Sequence, residues 1–379
     1  MKCSGIDVAS GDPITLHFDQ LISKVEPCES GRGRYLAPGF IDIQVNGYAG
    51  VDYNKPDCPH EEISRSIQTL VKTGLTRFFP TVITGSPDDM AGALRNLWLA
   101  KQQILEGTLI EGLHVEGPYI GPEDGPRGAH PWQWVRPPDL DEWARWRDAA
   151  DGLIRLVTLS PHWPQAPRYI ERVVADGVTV SVGHTGATSE QIDDAVRAGA
   201  TLSTHLGNGA HAILRRHPNY LWDQLADDRL NADFIVDGIH LPASFLKVAL
   251  RAKTVERSIL VTDAAAPAGA APGRYQLGEQ PVDYLPDGRV VLAGSEKLAG
   301  SSLRMDRGVE NLMRLGGLSL RDAFKTATVN PARVTRIANR QQGLKEGERA
   351  DFILFNYDEE AGKIEVEATY VDGQRYFAA

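Results

Sequence analysis

The pattern of apolar and polar positions divides the chain into three stretches. Residues 1–37 read as short strands broken by Gly, Ser and Pro, with ITLHF and RYLAP the clearest. From about residue 347 the same character returns: ADFILFNY, KIEVEATYVDG and QRYF alternate or run apolar between turn residues. So few strands at either end cannot enclose a core alone. The two ends are therefore expected to meet in one small β-sandwich domain, residues 1–37 plus 344–379.

Between them a strand–loop–helix pattern recurs. FIDIQVN precedes the helical EEISRSIQTLVKTG, and TRFFPTVIT precedes DDMAGALRNLWLAKQQI. TLIEGLHVEG leads through a long loop to DLDEWARWRDAA, LIRLVTLSP to QAPRYIERVVADG, and VTVSVGH to TSEQIDDAVRAG. TLSTHLGN opens a long polar stretch, DFIVDG precedes PASFLKVALRAK, and SILVTDA precedes a last loop region. Eight such strands, most followed by helices, predict an α/β fold: a (β/α)8 barrel of the TIM type over residues 38–343. An open doubly wound sheet is the rival, but no Gly-rich dinucleotide fingerprint follows the first strand.

A parallel barrel gathers the carboxyl ends of its strands at one mouth. Glu116 ends the third strand, His184 the fifth and His205 the sixth; Asp263 ends the eighth. Gln44 and Asn46 end the first, while Asp237 and His240 follow the seventh. One carboxylate and two imidazoles suit zinc and leave a position for water; iron(II) or manganese uses similar groups. Such an ion lowers the pKa of water and polarises a carbonyl. A lone His after a strand is more often a hydrogen-bonded structural residue, so the metal reading rests on the joint placement of the three. Asp263 beside them would move a proton, or else act as a turn acceptor or cap.

His130, in GPEDGPRGAHPW, and His240, in DGIHLP, would orient a substrate oxygen or simply brace their loops. Asn208 and Gly209 offer backbone groups to a ligand, or turn the chain. Arg215 and Arg216, in AHAILRRHPN, are candidates for bidentate phosphate contact, as is Arg127, against the plainer reading that they face solvent.

Fifty acidic against forty basic residues give a net charge of -10, which argues against a nucleic-acid or anionic-membrane partner. The longest apolar runs are too short to span a bilayer, and MKCSGIDVASGDP lacks the apolar stretch of a secretory signal. Cys3, Cys28 and Cys58 form neither a disulfide framework nor a zinc-knuckle pattern. The expectation is a soluble cytoplasmic protein.

From PGFIDIQVNGYAG through GLHVEGPYI, GAHP, SVGHTGAT, STHLGN, DGIHLP, LVTDAAAPAGA and LAGSSLRMDRG to ATVNPAR and GLKEGERADFILFN, the chain resembles the N-acetylglucosamine-6-phosphate deacetylases of the amidohydrolase superfamily. That resemblance implies one divalent metal per subunit, zinc with Fe2+ or Mn2+ as alternatives, held by Glu116, His184 and His205. It implies Asp263 as general base and then acid, with His130 assisting at the carbonyl. His130 and His240 would contact the sugar or acetamide, and Asn208 and Gly209 the phosphate. Arg216 would reach the neighbouring site across a homodimer. Gln44 and Asn46 stand where other superfamily members carry an HxH metal-binding pair, so a single metal is implied. The reaction would release acetate and glucosamine 6-phosphate from N-acetylglucosamine 6-phosphate. The chain departs from the family in reading Asn208-Gly209 for Asn-Ala, HTGA for HSNA at 184–187, and in GNGAHAILRR. These departures keep N-acetylgalactosamine 6-phosphate, another small N-acyl compound or a cyclic amide as alternative substrates. A noncatalytic sugar-binding protein is the reading from a different class.

Overall fold

Barrel walls are covered by helices outside and filled by side chains inside, so their strands are buried on both faces. The computed structural model, which describes residues 1–29 and 33–379, follows that rule almost without exception. Its barrel strands are β1 (Phe40–Val45), β2 (Leu75–Ile83), β3 (Leu113–Glu116), β4 (Ile154–Leu159), β5 (Thr179–Val182), β6 (Leu202–Ser203), β7 (Asn231–Ile235) and β8 (Ser258–Val261). They pair in parallel and in sequence order. The ring closes where Val45 bridges Ala264 and the Asn46 N–H donates to the Ala264 carbonyl at 2.7 Å. Asp42 staples the same seam by accepting from the Thr262 hydroxyl at 2.5 Å. Burial pushes its carboxyl up to about 7.

Ile41, Ile43, Phe79, Leu156, Leu202 and Ile259 belong to one buried apolar cluster. A polar chain runs through the wall beneath the mouth: His114 Nε2 meets the Thr158 hydroxyl at 2.8 Å, which meets the Thr204 hydroxyl at 2.7 Å. The outer helices start where the sequence signals them. Ser86 caps Pro87–Gln103 with Pro at the first position, Asp139 caps Leu140–Ala149, and Thr188 with Gln191 forms a capping box on Ser189–Arg197.

The chain ends meet, as the pattern predicts, in one seven-stranded mixed sheet. Its order is Gln374–Ala378, Lys363–Val371, Phe352–Asp358, Tyr35–Pro38, Lys2–Asp7, Pro13–Phe18 and Ile22–Pro27. Phe352 stacks on Tyr370 with ring centres 4.5 Å apart and meets Phe18 edge-on.

Asp351 welds this sheet to the barrel. Its carboxylate accepts from Arg77 of β2 at 2.7 and 3.0 Å and pairs with Arg340 at 2.6 Å. Arg340 also donates to the Gly39 carbonyl just before β1. Burial alone would raise the Asp351 carboxyl, but the two guanidiniums outweigh it and hold it down at about 2.

Two stretches hold more structure than the sequence pattern predicts. The polar region after β6 contains the helix Tyr220–Ala226. The region after β8 forms a three-stranded sheet, Gly273–Leu277, Gln280–Tyr284 and Val290–Leu292, followed by helices Met305–Asn311, Leu320–Ala327 and Val329–Val334. Each helix there is shorter than the window of roughly 11–18 residues over which periodicity is read. Among the described residues no helix is long and apolar enough to cross a membrane.

Asp351→Asn should leave the buried Arg340 guanidinium without its anion and Arg77 with only Asp372 and Glu111, and cost about 3–5 kcal/mol, read as a fall in thermal midpoint. The sign is fixed by the lowered folded pKa. The wild-type contribution is complete above about pH 4, the unfolded value, and fades only as pH falls towards 2. The variant should lack that acid-dependent component.

Candidate active site

Three side chains from three strand ends converge on one point. Glu116 is the last residue of β3; His184 and His205 lie two residues beyond β5 and β6. Glu116 Oε1 is 3.0 Å from His184 Nε2 and 2.9 Å from His205 Nε2, and the two nitrogens are 3.1 Å apart. All three residues are buried. His130 also offers a ligand atom within 4.8 Å of those of Glu116 and His184. Its Nδ1, however, is engaged at 2.8 Å by the Thr84 hydroxyl, and its ring meets His184 edge-on. The tighter triangle is Glu116, His184 and His205.

That triangle has the chemistry of a metal site. His184 Nδ1 donates to the Pro126 carbonyl at 2.8 Å, so in the neutral ring Nε2 carries a lone pair. A lone pair facing a carboxylate oxygen at 3.0 Å is repulsive unless a proton or a cation lies between them. Bonds of ~2.0–2.1 Å to a tetrahedral ion put neighbouring ligand atoms about 3.3 Å apart, close to the spacing found. The electrostatics point the same way. Burial would raise the Glu116 carboxyl, but the two imidazoles hold it well below its usual value. Burial would lower His184, yet Glu116 holds it up.

Asp263 lies two residues past β8 in the same cavity, about 510 Å³, which His130, Asn208, Gly209 and His240 also line. Its Oδ1 accepts from Asn46 Nδ2 at 2.7 Å and from Gln44 Nε2 at 3.2 Å. The same Gln44 amide donates to Glu116 at 2.9 Å, so one NH2 group bridges the two carboxylates. Burial first, and the Glu116 charge second, raise the Asp263 carboxyl.

His240 Nδ1 donates to Asp237 at 2.6 Å, leaving Nε2 for a ligand. Asp237 also accepts the backbone N–H groups of Ile239 and His240. Burial would raise its carboxyl, but these bonds hold it down. Burial, then the His184 charge, lowers His130 to about 3, so its ring is neutral near pH 7. Thr84 and Asp237, which orient these rings, carry no sequence signal that would mark them as supports.

The backbone supplies the aim. His184, His205 and Asp263 all have positive φ, at 48, 28 and 51°, a region that costs a non-glycine residue energy. Each is clamped: the His184 carbonyl accepts from Gly121, the Asp263 carbonyl accepts from Ser301, and the His205 N–H donates to Asp233. Gly209, where the family reads alanine, packs directly against the His184 ring in this chain. Its φ is +54°, and a Cβ there would stand 2.7 Å from His184 Nδ1.

Arg216 is the candidate that the fold does not bring to its own cavity. It is exposed, with Arg215, on the loop that carries Ile213, itself 92% exposed. Arg127 is tied to Asp124 and to the His130 carbonyl.

A closed parallel barrel with a buried Glu–His–His cluster and a second carboxylate at its mouth defines an enzyme of the metal-dependent hydrolase class. The profile of the Amidohydrolase family matches residues 35–376. N-acetylglucosamine-6-phosphate deacetylase of Bacillus subtilis (strain 168) is 33% identical over 326 residues, covering 85% of this chain and 81% of the relative. The Homo sapiens enzyme of the same name is 32% identical, covering 97% and 89%. In three dimensions the chain is similar to a variant of the Mycobacterium smegmatis deacetylase in complex with N-acetyl-D-glucosamine-6-phosphate. The TM-score is 0.90 at 28% identity, over 100% of this chain and 99% of that one. The chain belongs to the amidohydrolase family and, within it, to the N-acetylglucosamine-6-phosphate deacetylases.

Gly209→Val tests the packing of this site. A branched side chain there meets both the His184 ring and a positive φ that β-branched residues resist, so it should displace His184 and lower the metal content of purified protein, measured by elemental analysis. Full metal occupancy in the variant would contradict the contact.

Proposed function

We propose that the protein hydrolyses the acetamide of N-acetylglucosamine 6-phosphate to glucosamine 6-phosphate and acetate. The observation that carries this reading is the convergence of Glu116, His184, His205 and Asp263 in one buried cavity. Kinship with deacetylases of that substrate supports the choice of sugar. Glu116, His184 and His205 would hold one divalent ion, zinc by preference because one oxygen and two nitrogens suit it, with Fe2+ and Mn2+ as alternatives. When bound, such an ion supplies Lewis acidity towards a carbonyl oxygen and acidifies water.

The chain's own groups do the rest. Asp263 commits Oδ1 to the amides of Gln44 and Asn46, leaving Oδ2 to take a proton from the attacking water and pass it to the departing sugar nitrogen. With the Thr84 hydroxyl donating to Nδ1, the neutral His130 ring presents Nε2–H to the acetyl oxygen. His240, its Nδ1 held by Asp237, accepts from a sugar hydroxyl. Asn208 and Gly209 meet the phosphate end.

The same reading includes a homodimer in which Arg216 serves the neighbouring cavity. Its exposure, away from its own site and beside the exposed Ile213 and Trp222, supports that assignment. It also places the enzyme in the cytoplasm, since a dianionic sugar phosphate does not cross a bilayer unaided.

The test is a metal-supplemented hydrolysis panel with N-acetylglucosamine 6-phosphate, N-acetylgalactosamine 6-phosphate, both unphosphorylated sugars and simple N-acyl amino acids. The first compound should be preferred. Asp263→Asn should lose about 10²–10⁴-fold in kcat while retaining metal, whereas Glu116→Gln should lose the metal itself. Arg216→Ala should raise KM for the phosphorylated sugar, with the dimer followed by sedimentation. Preference for an unphosphorylated amide would redirect the assignment to the wider amidohydrolase range.

A further inference from the structure

The charge lining the cavity is lopsided. Glu116 and Asp263 lie at its base and Asp124 at its rim, while Lys297 is the one lysine or arginine among the described residues that line it. A sugar phosphate brings nearly two more negative charges near neutral pH. A cation at the rim that is free to move can meet that added charge.

Lys297 is placed for this. Its backbone is anchored on the three-stranded sheet after β8. The Leu292 N–H donates to the Lys297 carbonyl at 2.8 Å, and Leu298 bridges Val291. Its side chain crosses to the helix Asp124–Arg127, where Nζ meets Asp124 Oδ1 at 2.6 Å. That helix abuts the loop after β6 so closely that a Cβ on Gly125 would stand 2.8 Å from the Ala210 carbonyl oxygen. Lys297 is thus held at the side of the mouth formed by Asn208, Gly209 and Ala210.

The resting pair is built to open. The Asp124 side chain is 73% exposed, and ion pairs in water contribute little. Asp124 also pairs with Arg127 at 2.8 Å, so departure of Lys297 leaves no carboxylate without a counter-ion.

We propose that Lys297 is the subunit's own phosphate-recognition residue: it leaves Asp124 to Arg127, pairs with the phosphate of the incoming sugar, and so sets the preference for phosphorylated over unphosphorylated substrate. The inference rests on the deacetylase reading above. It assigns to the subunit itself a cation that acts beside any arginine arriving from a partner.

The experiment compares metal-loaded wild type, Lys297→Met, Lys297→Arg and Asp124→Asn on N-acetylglucosamine 6-phosphate and N-acetylglucosamine, with calorimetric binding of glucosamine 6-phosphate as a second readout. Lys297→Met should reduce the ratio of kcat/KM between the two substrates at least about tenfold, chiefly through KM, and weaken glucosamine 6-phosphate binding in parallel. Lys297→Arg should restore most of the ratio. Asp124→Asn removes the competing anion and should lower KM for the phosphorylated sugar. An unchanged ratio in Lys297→Met overturns the inference alone. So do equal losses on both substrates in Lys297→Met and Asp124→Asn, which would make the pair a structural latch. If wild type neither hydrolyses the phosphorylated sugar nor binds glucosamine 6-phosphate, the deacetylase reading falls and the inference with it.

Discussion

Two buried carboxylates and two imidazoles share one small volume at the barrel mouth, and the rest of the site answers that constraint. Glu116 Oε1 lies against both His184 and His205, while the Gln44 amide ties Glu116 to Asp263. Among the described residues no side chain at this depth carries a fixed positive charge. A neutral amide sits between the carboxylates, which softens their repulsion without cancelling it. A divalent cation held by this cluster, as proposed, would satisfy the lone pairs directly. The Gln44 Oε1 and Asn46 Oδ1 atoms are buried without hydrogen-bond partners, so both amides are oriented by their NH2 groups towards the carboxylates. Amide donors there favour ionised Asp263, which opposes the effect of burial.

The barrel meets this demand by bending the chain sharply straight after its strands. Positive φ at His184, His205 and Asp263 turns each side chain into the mouth instead of along the strand direction. The cost is of order 1–3 kcal/mol per residue. Asp233 bears part of the load: burial drives its carboxyl well above its usual range, and it holds the His205 N–H at 2.5 Å. The Asp351–Arg77–Arg340 cluster fixes the terminal sheet against β1 and β2 at the other end of the barrel. Strain at the mouth and charge at the foot of the barrel therefore sit on a frame whose strands are almost entirely buried.

Much of this was legible in the sequence, for physical reasons. The eight strands are short, largely apolar runs bounded by turn residues, and several of the helices between them carry their own caps. Because β/α topology brings strand ends together, placing Glu116, His184, His205 and Asp263 on strand ends was enough to expect them in one pocket. Supports from loops were not legible. Thr84 and the Pro126 carbonyl act through single hydrogen bonds that no periodicity reports, and Asp237, placed at the mouth by the strand pattern, gathers three whose partners only the fold shows. Gly209 read as a turn residue or a backbone contact, whereas its lack of a Cβ makes room for His184. Lys297 precedes the LAGSSLRMDRG run, and only the fold reveals that its side chain reaches Asp124.

The gradient from base to rim has a functional logic. At the base every polar group is buried and most are fixed by short hydrogen bonds, as preorganisation for a charged transition state requires. At the rim the ion pairs are wet, Asp124 serves two cations, and the loop around Ile213 lies open to solvent. Rim contacts of this kind exchange partners at little cost, whereas removing one member from the base strands a buried charge. On the proposed reading, chemistry falls to the rigid layer and selection of the substrate's charged end to the yielding one. The largely exposed far end of the loop after β6, residues 212–216, can vary without disturbing the buried residues at the base, whereas Gly209 near its start packs against His184 and cannot.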